Sequence, residues 1–121
     1  MKKILIVDDQ KELRDLVEIT LRSEDYKILQ AKNAREAIET VEAEKPDLVI
    51  MDIMMPGEMD GMEATRLLKE NPQTKDSKII ILTAKGQTTD LDEGFKVGVD
   101  GYFIKPFSPI DLIYKVEEMI G

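Results

Sequence analysis

The chain has 121 residues, of which 42% are hydrophobic and 35% are charged, and its formal net charge is −8. This balance is typical of a folded domain with a core of its own, and we expect one domain over residues 1–121. The chain contains neither cysteine nor histidine, which excludes disulfides, thiolate nucleophiles, imidazole catalysis and metal sites built on sulfur or imidazole. The acidic balance argues against direct nucleic-acid binding. No apolar run suggests a signal peptide or a membrane span, so we expect a cytoplasmic location and no membrane partner.

Five short apolar runs alternate along the chain with segments of helical period. We predict the runs as strands at residues 4–7, 27–31, 48–51, 79–82 and 102–104. The third and fourth runs are apolar at every position, which is typical of a parallel sheet covered on both faces.

Apolar residues at helical spacing follow the first three runs. The first set comprises Leu13, Leu16, Val17 and Leu21. The second set begins after Asn33, a predicted N-cap, and the third follows Gly61 and ends before Pro72.

Two more helices are predicted in the last third of the chain. Residues 88–97 carry only a short apolar stripe, whereas the last helix has Ser108 as N-cap, Pro109 in its first turn and an apolar face from Leu112 to Ile120. The sum is a (βα)5 α/β fold with a doubly wound parallel sheet and helices on both faces.

Polar residues follow four of the five predicted strands: Asp8 and Asp9 the first, Asp52 the third, Thr83 the fourth and Lys105 the fifth. Taken singly, the aspartates are interpreted as turn or cap residues, the threonine as bonded to backbone and the lysine as solvated. The carboxyl ends of parallel strands meet at one edge of the sheet, where such folds bind ligands. Their joint occurrence at that edge favours a functional site.

The charges at this edge indicate phosphate chemistry. Two carboxylates about 5 Å apart repel by roughly 3 kcal/mol at an effective dielectric of about 20. Three carboxylates must therefore raise a pKa, recruit Lys105 or bind a cation, which without histidine or cysteine is Mg²⁺, Mn²⁺ or Ca²⁺. Beside such a cation and Lys105, Asp52 can act as the nucleophile of a phosphoryl transfer, with Thr83 donating a hydrogen bond to the bound group.

Four segments, in this order and spacing, resemble the receiver domain of two-component response regulators: ILIVDDQ, DLVIMDIMMPGEMDG, IIILTA and GYFIKPF. The resemblance implies a flavodoxin-like sheet of strand order 2-1-3-4-5. It also implies that Asp52 is the phosphoacceptor and that Asp9 binds Mg²⁺, or Mn²⁺ in its place, directly. Asp8 would then bind through water, and the main-chain carbonyl of Met54 would be the third protein ligand.

The resemblance implies further roles on the last two strands. Lys105 would pair with the phosphoryl group, and its bond to Pro106 is commonly cis in the family. Thr83 and Tyr102 would form a switch pair that alters the surface of the fourth helix, fifth strand and fifth helix. Without the resemblance, Tyr102 would be interpreted as a half-buried strand aromatic.

The segment after Asp52 departs from the family pattern in two ways. Three residues, Gly57 to Met59, separate Pro56 from Asp60 where the family has two, so we expect a different geometry where the third helix starts. The apolar side chain of Met54 stands beside the site, which suggests slower hydrolysis of the phosphoryl group.

The leading hypothesis is a receiver that accepts a phosphoryl group from a phosphohistidine on a sensor kinase or phosphotransfer protein and signals to a downstream protein. We expect a signalling phosphoacceptor rather than a turnover enzyme. The bounds Met1 and Gly121 favour a free-standing receiver over one excised from a longer regulator.

The alternative is a Mg²⁺-dependent phosphatase with an aspartyl-phosphate intermediate, although Met54 stands where such enzymes carry a second acid. An unphosphorylated binding module of the same fold is disfavoured because the acidic residues and Lys105 are all present.

Overall fold

Five parallel strands form the centre of the computed structural model, which describes residues 1–22, 25–55, 57–84 and 96–121. The strands are β1 (Lys2–Val7), β2 (Tyr26–Ala31), β3 (Leu48–Asp52), β4 (Lys78–Ala84) and β5 (Gly101–Lys105). Their order is β2-β1-β3-β4-β5, and every neighbouring pair is parallel. The predicted fold class and strand order are therefore confirmed.

Within the described residues, four helices cover the sheet: α1 (Lys11–Arg22), α2 (Ala34–Glu44), α3 (Gly61–Glu70) and the C-terminal helix (Pro109–Ile120). Two predicted N-caps are confirmed, since the side chains of Asn33 and Ser108 accept hydrogen bonds from main-chain amides of their first helical turns. The helix predicted at residues 88–97 lies almost wholly outside the described residues. In the part of the chain that is described, no helix has the length and apolar character needed to cross a membrane.

The core has two layers because alternate residues of each strand point to opposite faces of the sheet. One layer joins odd-numbered strand residues such as Leu5, Val49 and Ile81 to the buried faces of α2 and α3. The other layer joins even-numbered residues such as Ile6 and Ile50 to α1 and the C-terminal helix. Burial on both faces explains why most of β3 and most of β4 are continuously apolar.

The strands are longer than the apolar runs that predict them. Asp52 is the last residue of β3, and Thr83 and Lys105 lie within the last two residues of β4 and β5. The backbone ladder continues past the apolar residues, pairing Asp52 with Leu82 in parallel register. The site residues of these three strands are thus fixed by sheet hydrogen bonds rather than carried on loops.

One residue of the predicted apolar stripe of α1 was assigned wrongly. Leu16 is 51% exposed, whereas Val17 and Leu21 are fully buried. Val17 and Leu21 are four residues apart and share a face of the helix, and Leu16 lies about 100° away from Val17 around the axis.

Candidate functional site

An acidic cluster and a lysine meet at the carboxyl edge of the sheet. Carboxylate oxygens of Asp8, Asp9 and Asp52 lie within 4.8 Å of one another. The Nζ of Lys105 lies 3.3 Å from Asp8 Oδ2 and 3.2 Å from Asp52 Oδ1. Asp8 and Asp52 are only 1% and 4% exposed, whereas Asp9 is exposed to solvent. The structure therefore brings together four of the residues that the sequence places at this edge.

The cluster carries more negative than positive charge, and two pKa values reflect this imbalance. Burial, and after it the charge of Asp8, raises the pKa of Asp52 to about 6 against the opposing effects of Lys105 and of a hydrogen bond from the Met54 main chain. Burial lowers the pKa of Lys105, but attraction to Asp52 and Asp8 outweighs it, so that this pKa is raised overall. Two of the predicted responses to carboxylate crowding are thus present together, namely a raised carboxyl pKa and recruitment of Lys105.

Asp8 forms a turn at the end of β1 and does not cap α1. Its Oδ1 accepts a hydrogen bond from the main-chain amide of Gln10 at 2.9 Å, one residue before the helix begins. Its own amide donates to the carbonyl of Ala31 on β2 at 3.2 Å. The carboxylate is therefore held from both sides, by this turn and by Lys105.

The predicted switch residues lie on adjacent strands. Thr83 is buried and pairs in register with Ile104, while Tyr102 on β5 is 41% exposed and pairs with Ile81. The Met54 side chain beside the site is 59% exposed. Their roles in switching, hydrogen bonding and metal binding remain predictions.

The extra residue after Asp52 leaves the start of α3 regular. Gly57 has a φ of +116°, a backbone region that favours glycine. Asp60 caps α3 by accepting from the amide of Glu63 at 2.9 Å, and the amide of Gly61 donates to the carbonyl of Ile53 at 2.9 Å. The expected difference in geometry is therefore not found at Asp60 and Gly61, where α3 begins with an ordinary cap.

Gly61 packs directly against the end of β3. A Cβ atom at this position would lie 1.9 Å from the carbonyl oxygen of Asp52, which is too close for any side chain, so only glycine fits here. In the sequence Gly61 stands out only as a helix boundary, and Arg14 does not stand out, although its guanidinium donates to the Asp8 carbonyl at 2.7 Å. Both residues are identified by a close contact in the folded chain, and the spacing of residues along the sequence does not predict such contacts.

The donor set of the cluster fits a hard divalent cation. Oxygens bound to octahedral Mg²⁺ at about 2.1 Å lie roughly 3–4 Å apart, so carboxylate oxygens within 4.8 Å of one another need only small shifts. Oxygen-only ligands suit Mg²⁺ or Mn²⁺ rather than softer metals. The exposed position of Asp9 leaves one side of the cluster open to solvent.

The fold and this edge together define a doubly wound α/β domain with an acidic, lysine-containing site at the carboxyl ends of its strands. Residues 4–117 match the family described as response regulator receiver domain, and the chain belongs to this family of two-component signalling proteins. Receiver domains are signalling phosphoacceptors.

Two regulators illustrate the sequence relationship. The chain is 40% identical over 119 residues to the phosphate regulon transcriptional regulatory protein PhoB of Pseudomonas aeruginosa, covering 98% of this chain and 52% of PhoB. It is 41% identical over 118 residues to the transcriptional regulatory protein ResD of Bacillus subtilis, covering 98% of this chain and 48% of ResD. The chain thus spans about half the length of these relatives.

Solved structures of receiver domains superpose along nearly the whole chain. Chemotaxis response regulator CheY4 of Vibrio cholerae matches with a TM-score of 0.90 and 32% identity, covering 99% of each chain. The signal receiver domain of a signal transduction histidine kinase from Syntrophus aciditrophicus matches with a TM-score of 0.90 and 30% identity, covering 99% of this chain and 90% of the other.

Proposed function

We propose that this receiver accepts a phosphoryl group on Asp52 from a phosphohistidine of a sensor histidine kinase or histidine phosphotransfer protein. The observation that supports the proposal is a buried carboxylate at the sheet edge, 3.2 Å from Lys105 and clustered with Asp8 and Asp9. Because residues 1–121 contain no histidine, the donor histidine lies outside them. We further propose that residues 1–121 act as one receiver domain in the cytoplasm.

The proposed transfer is an in-line displacement at phosphorus. A carboxylate oxygen of Asp52 forms a bond to phosphorus while the P–N bond of the phosphohistidine breaks, and the electron pair of that bond stays on the imidazole nitrogen, which is protonated. With a pKa of about 6, Asp52 is mostly ionised at neutral pH and so is available as a nucleophile. Lys105, already at hydrogen-bond distance from Asp52, would pair with an oxygen of the transferred group.

Asp8, Asp9, Asp52 and the main-chain carbonyl of Met54 would hold Mg²⁺, or Mn²⁺ in its place. When bound, the cation supplies positive charge that offsets the charge of the phosphoryl oxygens. The chain's own part is to keep the carboxylates together before the cation arrives, through the sheet register of Asp52 and the turn at Asp8. In the same proposal the hydroxyl of Thr83 donates a hydrogen bond to the bound phosphoryl group.

We propose that Thr83 and Tyr102 couple the site to a surface formed by β5, the C-terminal helix and the residues preceding β5. Interactions that form only with the phosphorylated state would shift an existing equilibrium between two arrangements of this surface. The output is proposed to be contact with a downstream protein, because a net charge of −8 disfavours direct contact with nucleic acid. PhoB and ResD are named transcriptional regulators, so control of transcription is a proposed outcome of that contact.

The test is phosphorylation of the purified chain by an acyl phosphate in the presence of Mg²⁺. We expect the addition of one hydroxylamine-labile phosphate, its loss in Asp52→Asn and its retention in Asp76→Asn, which changes an exposed aspartate at the opposite edge of the sheet. Phosphate on any residue other than Asp52 would overturn the assignment.

The same assay separates the alternative functions. Sustained release of inorganic phosphate from a range of phosphomonoesters would favour the Mg²⁺-dependent phosphatase. Failure of a folded, metal-loaded chain to accept phosphate from either an acyl phosphate or a phosphohistidine protein would favour an unphosphorylated binding module.

A further inference from the structure

Arg14, in the first turn of α1, connects the acidic cluster to the edge strand β2. Its Nη1 donates to the carbonyl oxygen of Asp8 at 2.7 Å, and its Nε donates to the Oε1 of Gln30 at 2.9 Å. The guanidinium is planar and rigid, so two donors used in two directions fix the position of the Asp8 carbonyl relative to β2.

The anchor on β2 is itself held in place. The Nε2 of Gln30 donates to Glu18 Oε1 at 2.8 Å and to Asp15 Oδ1 at 3.3 Å, both on α1. Because these carboxylates can only accept, they fix which end of the amide faces Arg14. The Arg14 guanidinium is therefore bonded at both ends to partly buried groups rather than lying free in solvent.

The bond from Arg14 acts on the peptide between Asp8 and Asp9. The carbonyl of Asp8, the nitrogen of Asp9 and the Cα of Asp9 belong to one planar unit, so fixing the carbonyl restrains the position of the Cα from which the Asp9 side chain starts. In the described residues, the exposed carboxylate of Asp9 has no hydrogen bond of its own. Its placement near Asp8 and Asp52 thus depends on the backbone, and Arg14 is a direct side-chain restraint on that backbone.

Arg14 and Lys105 supply positive charge to the cluster in different ways. Lys105 bonds to the carboxylate oxygens of Asp8 and Asp52, which are the atoms that a cation would need. Arg14 bonds only to a main-chain carbonyl of the cluster, so it contributes charge and rigidity while leaving the carboxylate oxygens accessible.

We infer that Arg14 is a positioning residue for the cation-binding pair Asp8–Asp9, acting through the Asp8 carbonyl and anchored by Gln30. The inference rests on the proposed function, in which these carboxylates hold Mg²⁺. Groups that orient metal ligands from the next layer typically change metal affinity 10–100-fold when they are removed.

The experiment measures the Kd for Mg²⁺ by calorimetry, with the unfolding free energy measured in parallel without metal. We expect Arg14→Gln to raise the Kd about tenfold or more, while the extent of Asp52 phosphorylation recovers at saturating Mg²⁺. Arg14→Lys is expected to raise the Kd similarly, because an ammonium keeps the charge but not the rigid two-way bridge. Gln30→Leu, which removes only the anchor, is expected to give a smaller rise.

Arg35→Gln is the matched control, since Arg35 is an exposed arginine on α2 whose ion-pair partner, Glu39, lies one turn away on the same helix. Its Kd is expected to stay at the wild-type value. A lowered stability of Arg14→Gln with an unchanged Kd would overturn the inference and leave a purely structural role. A wild-type Kd in Arg14→Lys would overturn the bridging geometry.

Two further outcomes separate this inference from the proposed function. If Mg²⁺ binding weakens in the Arg14 variants but Asp52 takes no phosphate, the proposed function fails and the positioning role stands. If the unsubstituted chain binds no Mg²⁺ at millimolar concentration, both are overturned. Should Arg14→Gln fail to fold, Arg14→Lys and Gln30→Leu decide the question.

Discussion

The acidic residues at the carboxyl edge of the sheet, where the strands end, and at the amino edge, where the strands begin, have opposite environments. At the amino edge two aspartates have donors of their own: Asp47 accepts from the amide of Lys3 at 2.8 Å, and Asp100 accepts from the amide of Ile79 at 2.8 Å and from Lys69 Nζ at 3.0 Å. At the carboxyl edge two buried carboxylates share Lys105, and a third lies close by. The difference teaches that the amino edge contributes stability, whereas the carboxyl edge keeps unbalanced charge at the expense of stability.

The largest effect is expected where the backbone of the carboxyl edge meets α3. Gly61→Ala places a Cβ against the Asp52 carbonyl, where the available distance is 1.9 Å, so β3 and α3 must separate. We expect a loss of unfolding free energy of about 3 kcal/mol or more, measured by urea denaturation.

Gly98→Ala is the control for this variant. A Cβ at Gly98 would meet nothing closer than 3.9 Å, and only its φ of +96° resists the change. We expect a loss of about 1 kcal/mol there. Equal losses at the two glycines would show that close packing at Gly61 is not what joins α3 to β3.

The next effect tests the amino edge. Asp100→Ala leaves the amide of Ile79 and the ammonium of Lys69, a mostly buried side chain, without this acceptor, and we expect a loss of roughly 2–3 kcal/mol in thermal or denaturant unfolding. The exposed Asp76→Ala is expected to change stability by less than about 0.5 kcal/mol. A negligible effect of Asp100→Ala would remove the proposed contrast between the edges.

The contribution of Asp52 to the unfolding free energy is expected to fall as pH rises, whereas the contribution of an ordinary paired carboxylate increases with pH. The pKa of Asp52 is about 6 in the folded chain against 3.8 for the free group, so between pH 4 and 6 the folded state holds a proton that the unfolded state has released. This contribution to stability is present below pH 4 and is lost as pH rises through 6, and it amounts to roughly 2–3 kcal/mol without divalent metal.

The measurement is the difference in unfolding free energy between Asp52→Asn and the unsubstituted chain from pH 4 to 8, in the presence of a chelator. We expect the variant to gain relative stability across this window, because an amide has no charge to bury. A difference that does not change with pH would contradict the raised pKa.

The smallest effect is stabilisation by Mg²⁺, which would relieve the crowding at the carboxyl edge. At a metal concentration ten times the Kd, binding to the folded state alone contributes about 1.4 kcal/mol, seen as a rise in Tm. We expect Asp9→Asn to reduce the rise and Asp76→Asn to leave it intact. A rise of equal size in both variants would place the bound metal elsewhere.

Much of the fold could be predicted from local pattern. Apolar runs and the caps at Asn33 and Ser108 identify elements because the signal lies within a few residues. The position of Leu16 outside the buried face of α1 could not be predicted, because burial depends on what packs beside the helix.

The candidate site divides in the same way. Asp8, Asp52 and Lys105 could be placed at one edge because parallel strands bring their carboxyl ends together. The bridge from Arg14 to Gln30 could not, because it depends on the packing of α1 against the paired β1 and β2 strands. Local sequence patterns therefore predict the charged residues of the site, whereas the groups that orient them are seen only in the tertiary contacts.

The close packing of Gly61 on Asp52 has a consequence for how the chain can be altered. The loop residues 57–59 lie between two fixed points, the end of β3 and the capped start of α3, and already contain one residue more than the family pattern. We expect a substitution at the exposed Glu58 to leave both fixed points in place, because Gly57 has a positive φ and Met59 packs against the core. This short loop, beside the site but outside its hydrogen bonds, is therefore a suitable position for a spectroscopic label that reports on the occupancy of Asp52.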